Sequence, residues 1–152
     1  PRAAAGTNGG IGRRLNRLGE SAFAALVRGR SDEQLERLVG NEAVLRVVFG
    51  GMERAFVPER SDGFSGAIQY ELERSGGPLV WHVRIDDGQA EAKPGAADDP
   101  AIVLRAPVPV FARIFARESN PAKAMLEGDL VVEGDLQTAG RVGYMFGEDS
   151  PW

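Results

Sequence analysis

The chain has no cysteine, a single histidine and only two lysines, set against sixteen arginines. The first absence excludes a disulfide framework and any zinc or iron–sulfur centre held by thiolates, and it accords with a reducing, cytoplasmic setting. With His82 alone, a histidine-based metal site would need carboxylates for every other ligand, so no metal or cofactor is expected. A nucleophilic triad would have no second imidazole to draw on, and no Gly-x-Ser-x-Gly elbow occurs. No apolar run approaches the roughly 18 residues that span a bilayer. No signal-peptide core is seen, and residues 1–10, which begin at Pro1, are expected to form a small, polar, disordered tail. The glycines Gly6, Gly9, Gly10 and Gly12 look superficially like a phosphate loop. No strand precedes them and no Lys-Ser or Lys-Thr pair follows, so that signal is empty.

Charge is unevenly spread. The net charge is −4, yet residues 1–30 carry six Arg and one Glu, which leaves −9 for the other 122 residues. An acidic body binds nucleic acid poorly, because duplex affinity rests on neutralising phosphates. The basic arm is the one feature suited to transient contact with an anionic membrane surface. A length of 152 residues gives one domain, residues 11–152, with enough chain to bury a core without staples.

Along the chain, Ile11, Leu15, Leu18, Ala22 and Leu26 recur at helical spacing, with Arg13, Arg14 and Arg17 off the seam. Ser31 and Gln34 form a capping box before a short helix carrying Leu35, Leu38 and Val39. Asn41 caps a third helix with the stripe Val44, Leu45, Val48, Phe49, Met52 and Phe56, interrupted by Gly50 and Gly51. Such a glycine pair weakens a helix by about 1 kcal/mol per residue relative to alanine, and a close crossing with another element is its expected cause. These elements make residues 11–58 an N-terminal helical subdomain over one face of a sheet. Residues 65–147 supply that sheet. Ile68, Tyr70 and Leu72 alternate with polar neighbours. Leu79, Trp81, Val83 and Ile85 share one face of a second strand, and Asp86-Asp87-Gly88 reads as a hairpin turn. Ala90 and Ala92 leave room above a third strand for a helix or a ligand. Ala101 to Arg105 forms a fourth strand, closing an antiparallel meander, and a helix follows from Pro107 with Val108, Phe111, Ile114 and Phe115.

The segment Asn120 to Gly147 organises the rest. Asn120 caps a helical turn with Pro121 in its first position. Gly128 breaks it, Leu130 and Val132 alternate in a fifth strand ending at Gly134, and Asp135 caps a closing helix of Leu136, Ala139, Val142 and Met145 or Phe146. The order Asn120-Pro121, Lys123-Ala124-Met125, Gly128, then Glu133-Gly134-Asp135 and an apolar helix resembles the C-terminal signature of the sterol carrier protein type 2 family, over roughly Ser65 to Phe146. At one place the pattern departs. Asp129, with Glu127 before Gly128, stands where that family often has a basic residue.

The resemblance implies an α+β fold, a five-stranded, mainly antiparallel sheet whose C-terminal helices cover an apolar tunnel. It also implies non-enzymatic carriage of a lipid or another long apolar molecule, fatty acyl or sterol-like, by a monomer or homodimer. The ligand would lie among Phe111, Ile114, Phe115, Met125, Leu130, Val132, Leu136, Tyr144, Met145 and Phe146. Two other classes of function stay open on the sequence. One is an enzyme using the same cavity, with His82 or Tyr144 as the acid–base group; the other is an interaction or dimerisation module with an apolar groove. The carboxylate pairs Asp86-Asp87 and Asp98-Asp99 lie in turns, where Asp serves local hydrogen bonding.

Overall fold

The computed structural model describes Gly19 and residues 21–147. The tail at residues 1–10 and the basic positions Arg13, Arg14 and Arg17 lie outside the described residues.

Three helical segments come first. Residues 21–27 form α1, and Gly29 ends it with a positive φ of 74°. Its inward side is Phe23, Ala24 and Val27, whereas Ala22 is exposed. The seam therefore runs one position away from the expected Ala22, because the Phe23 ring packs edge-on against Phe115 at 5.7 Å. Helix α2 (Asp32–Val39) carries the capping box as read. The Gln34 N–H donates to Ser31 Oγ at 3.2 Å, and the Ser31 N–H donates to Gln34 Oε1 at 2.9 Å. Helix α3 (Glu42–Ala55) is capped by Asn41, which accepts from the Val44 N–H, and it passes through Gly50 and Gly51 without a break.

A single 3-10 turn at Pro58–Arg60 leads into the sheet, whose strands are β1 (Gly66–Glu73), β2 (Leu79–Asp86), β3 (Gln89–Pro94), β4 (Ile102–Pro107) and β5 (Val131–Gly134). Their spatial order is β3-β2-β1-β4-β5. The first three strands form the expected meander, and Asp87 and Gly88 both take positive φ in the hairpin turn between β2 and β3. Strand β4 departs from it, pairing parallel with β1 in the register Ile68↔Ile102 to Glu73↔Pro107. The cause is the connection at residues 95–101, which crosses the sheet instead of turning back beside β3. Along its path the Gly95 N–H donates to the Val80 carbonyl and the Ala101 N–H to the Ala67 carbonyl. Between them the Ala97 N–H donates to Gln69 Oε1 at 2.9 Å. That crossing buries Gln69 to 7% exposure, the one buried polar side chain among the described residues.

The period-2 pattern divides the sheet into a covered face and an open one. Ile68, Tyr70 and Leu72 align with Val83, Trp81 and Leu79 and with Ile102, Leu104 and Ala106. All are buried beneath the helices. The open face carries Glu71, Arg105 and Glu133, joined by Arg105 Nε to Glu71 at 2.9 Å and Arg105 Nη1 to Glu133 at 3.4 Å. Above Ala90 and Ala92 the space is taken by a helix. Glu53 of α3 reaches the edge of β3 and accepts the Ala92 N–H at 2.8 Å.

Helix α4 (Val108–Phe115) follows β4 directly, with Pro109 in its first turn. Helix α5 (Pro121–Leu126) is a short segment capped by Asn120, which accepts from the Ala122 and Lys123 N–H groups. After β5, the closing segment is two single-turn helices, α6 (Leu136–Ala139) and α7 (Val142–Met145), not one continuous helix. Gly140 ends the first and Arg141 begins the second off the helical ladder, at φ −106° and ψ −2°. Glycine's low helix propensity permits the break. The resulting bend lets Ala139, Val142, Met145 and Phe146 all bury.

Candidate functional site

The covered face of the sheet is unevenly filled. Phe49 of α3 lies flat against Trp81 at 5.0 Å and touches the Tyr70 and Phe111 rings at 5.1 and 5.9 Å. Beyond that cluster, above β1 and β4, lies a cavity of about 360 Å³ that is partly open to solvent. Its floor is Tyr70 and Leu72 of β1 with Leu104 and Ala106 of β4. One wall is Val47, Val48, Gly51, Met52, Arg54 and Ala55 of α3, with Phe23 and Ala24 of α1 beside it. The other wall is Phe111, Ile114 and Phe115 of α4, Leu130, and Val142, Gly143 and Phe146 at the chain's end. A sealed void of that size would forgo roughly 9 kcal/mol at about 24 cal/mol per Å³. That is comparable to the whole net stability of a domain, about 5–15 kcal/mol. Such a volume is sustainable because it communicates with solvent and is available to an apolar occupant.

Of the ten residues read from the sequence as ligand contacts, Phe111, Ile114, Phe115, Leu130 and Phe146 line this cavity. Met125, Val132, Leu136, Tyr144 and Met145 are not among the lining residues, each for a local reason. Helix α5 buries only Ala124 and turns Met125 outward, 41% exposed. Leu136 opens the first turn of α6 and is 63% exposed. Val132 pairs with Leu104 and packs half-buried at the sheet's side. Met145 is enclosed in the core, and its carbonyl accepts the Val57 N–H at 2.8 Å. Tyr144 carries the Arg60 guanidinium 4.4 Å above its ring, and its carbonyl accepts from Arg60 Nη1 at 3.2 Å.

The lining residues supplied by α1, α3, β1 and β4 were absent from the sequence-derived set. The alternation at Tyr70 and Leu72 and the stripe on α3 marked those residues as buried but could not show that they face a hollow. Gly51 is the informative one. It borders the cavity, and a Cβ built on its neighbour Gly50 would meet only Arg54 Nη1, at 3.6 Å. At Gly50, therefore, no close crossing with a described element accounts for the glycine.

The acid–base candidates lie elsewhere. His82 sits on the open face with Nδ1 2.9 Å from the Gly95 carbonyl, and Tyr144 is engaged by Arg60. No His, Lys, Asp or Glu lines the cavity among the described residues. No cluster of three His, Asp or Glu residues there could hold a metal ion. The displaced carboxyl pKa values are also remote. Glu71 on the open face is held below the ordinary carboxylate value chiefly by the hydrogen bond from Gln69, which outweighs the upward push of desolvation, with Arg105 adding its own bond and charge. Asp135 is lowered by the Thr138 hydroxyl and N–H that it caps.

Residues 53–146 match the model of the SCP-2 sterol transfer family. The chain belongs to that family. No curated protein matches it, so the remaining likenesses are structural. The fold is similar to sterol carrier protein 2 from Yarrowia lipolytica in its apo form, at 15% identity and a TM-score of 0.55, covering 69% of this chain and 91% of that one. It is similar to palmitated SCP2L2 from Aedes aegypti, at 15% identity and a TM-score of 0.57, covering 68% and 95%. A third likeness is to the stereoselective inverting sec-alkylsulfatase Pisa1 from Pseudomonas sp., at 14% identity and a TM-score of 0.57, covering 68% of this chain. The chain spans only 16–17% of the length of that sulfatase. At these identities the likeness is one of fold. Membership therefore fixes the α+β architecture with its five-stranded mixed sheet. No helix among the described residues is long and apolar enough to cross a membrane.

Proposed function

We propose that this SCP-2 family member binds and carries a lipid or another long apolar molecule in the cavity between its sheet and helices, without chemical transformation of it. The observation that carries this reading is the cavity itself, about 360 Å³, within the range of about 300–1,000 Å³ usual for small-molecule sites. Phe111, Ile114, Phe115, Leu130 and Phe146 would hold the ligand from the C-terminal side. Val48, Met52, Tyr70 and Leu104 would hold it from the other. An apolar lining needs little help from polar contacts. Burying about twelve methylenes at about 0.8 kcal/mol each yields roughly 10 kcal/mol before association costs. Micromolar binding requires about 8 kcal/mol net. The shortfall after those costs is modest, and a flexible thioether such as Met52 suits chains of varied shape.

The absence of His, Lys, Asp and Glu from the described lining favours carriage over catalysis. A direct test is organic extraction of the protein purified from its expression host, followed by mass spectrometry. An acyl or ring lipid recovered in near-stoichiometric amount is the expected result. Recovery of none, together with no uptake of a fluorescent fatty acid by the delipidated protein, would overturn the reading.

A further inference from the structure

The cavity is lined by rings out of proportion to their share of the chain. Phe, Trp and Tyr make up 7% of the sequence, yet Phe23, Tyr70, Phe111, Phe115 and Phe146 are five of the 23 described lining residues. Four of them form a continuous file that starts on α1, crosses to α4 and ends on the sheet floor. Phe23 meets Phe115 at 5.7 Å and 84°, Phe115 meets Phe111 at 5.6 Å and 32°, and Phe111 meets Tyr70 at 5.9 Å and 73°. Neighbouring rings thus alternate between edge-on and tilted contact, the packing that aromatic quadrupoles favour at centroid separations of about 4.5–7 Å. Phe23 and Phe115, at the outer end, are half-buried, whereas Phe111 and Tyr70 are buried. The α3 wall contributes no ring to the lining.

We propose that the cavity selects molecules carrying a planar aromatic ring system over saturated chains or rings of equal size. This inference rests on the carrier reading above and names the ligand class. A flat ligand ring placed beside the file extends its edge-and-face arrangement by one member. A saturated body of the same area displaces the same water but gains no quadrupole contact, and each such contact is worth about two- to tenfold in affinity. Size agrees with this class. A dry apolar cavity of about 150 Å³ accepts one benzene ring, so the volume of about 360 Å³ here admits roughly two fused rings with a substituent. From the ringless α3 wall, Met52 brings a thioether to the lining, and sulfur packs favourably at ring edges.

The test compares ligands of one skeleton that differ in saturation. Naphthol and decahydronaphthol of the same substitution pattern, both uncharged at neutral pH, are titrated calorimetrically into the delipidated full chain. Dodecanoate serves as the chain-type reference. The aromatic alcohol should bind at least tenfold more tightly than its saturated counterpart. Phe115→Leu keeps the wall apolar but removes a ring, so it should cut that preference severalfold while leaving decahydronaphthol unchanged. Phe23→Leu, at the half-buried end of the file, should do the same to a smaller extent and disturbs the core less. Ala106→Leu, which fills the cavity, should weaken both alcohols alike and so place them inside it. Thermal melts of each variant check that the fold is intact. Three results would overturn this inference and leave the carrier reading standing: equal or tighter binding of the saturated alcohol, a preference that neither Phe→Leu variant moves, or alcohol binding untouched by Ala106→Leu. Binding of dodecanoate alone would overturn it as well. Failure of all three ligands to bind would instead overturn the carrier reading.

Discussion

Above β2 the covered face is filled by Phe49, fully buried and stacked on Trp81, whereas above β1 and β4 the same face is left hollow. Both regions are apolar and both are roofed by helices. They differ in what the roof delivers. In the packed region α3 presses a large ring onto the sheet, and the Trp81 indole N–H is buried with no hydrogen-bond partner among the described residues. Such a group costs about 1–3 kcal/mol, which the ring contacts there outweigh. In the hollow region α3 offers Gly51 and Ala55, and β4 offers Ala106, all lining the cavity. One helix thus serves as a wedge through Phe49 and as a cavity wall through the residues on either side of it in sequence. Stability is concentrated in the first region, and capacity for a ligand in the second.

The sharpest way to break that contrast is Phe49→Ala. It removes the ring shared by Trp81, Tyr70 and Phe111, and should destabilise the fold by about 3–5 kcal/mol in chemical denaturation. Phe146→Ala, in the cavity wall, should cost less, about 2 kcal/mol, because a ring bordering open space has fewer partners to lose. If the two losses proved equal, the distinction between packed and hollow regions would fail. Ala106→Leu sharpens it from the other side. The added volume enters space that exists already, so stability should change by less than about 1.5 kcal/mol, while affinity for a cavity ligand should fall at least tenfold. A titration of dodecanoate into the variant measures this.

The smallest effect concerns the open face, which neither region uses. Because the Glu71 carboxyl is lowered from its ordinary value of 4.5, the unfolded chain takes up its proton more readily than the folded one. Its contribution is therefore complete above that value and is lost as the pH falls through the folded value. Glu71→Gln should flatten the acid limb of stability between about pH 5 and 3. At pH 7 it should cost at most about 1 kcal/mol, as expected of a solvent-accessible ion pair. An unchanged acid limb would show that the row of charges on the open face is electrostatically idle.

Most of the local architecture was legible in the residues. The Ser31–Gln34 box, the Asn41, Asn120 and Asp135 caps, the Asp87-Gly88 turn and the alternation along β1 and β2 are local chemistry, and each appears where the sequence puts it. Two features were not legible. The parallel pairing of β4 depends on a connection that crosses the sheet, and nothing in residues 95–101 announces a direction. The break between α6 and α7 needed a choice between glycine's weakness and the helical spacing of Leu136, Ala139, Val142 and Met145. Burial of the second half decided it. The site was half visible for a related reason. Apolar spacing identifies what is buried, but a residue facing a hollow and one facing a neighbour carry the same spacing. Met145 and Phe146, adjacent in the chain, fall on opposite sides of that division.

The hydrogen bond from the Ala92 N–H to Glu53 has a consequence for how copies of this protein coexist at high concentration. An outer strand with free amides is a template on which another chain can add. Here one of β3's outward amides is already engaged by α3, and the opposite border, β5, is only four residues long and ends at Gly134. The sheet is thereby guarded against edge-to-edge polymerisation at both borders.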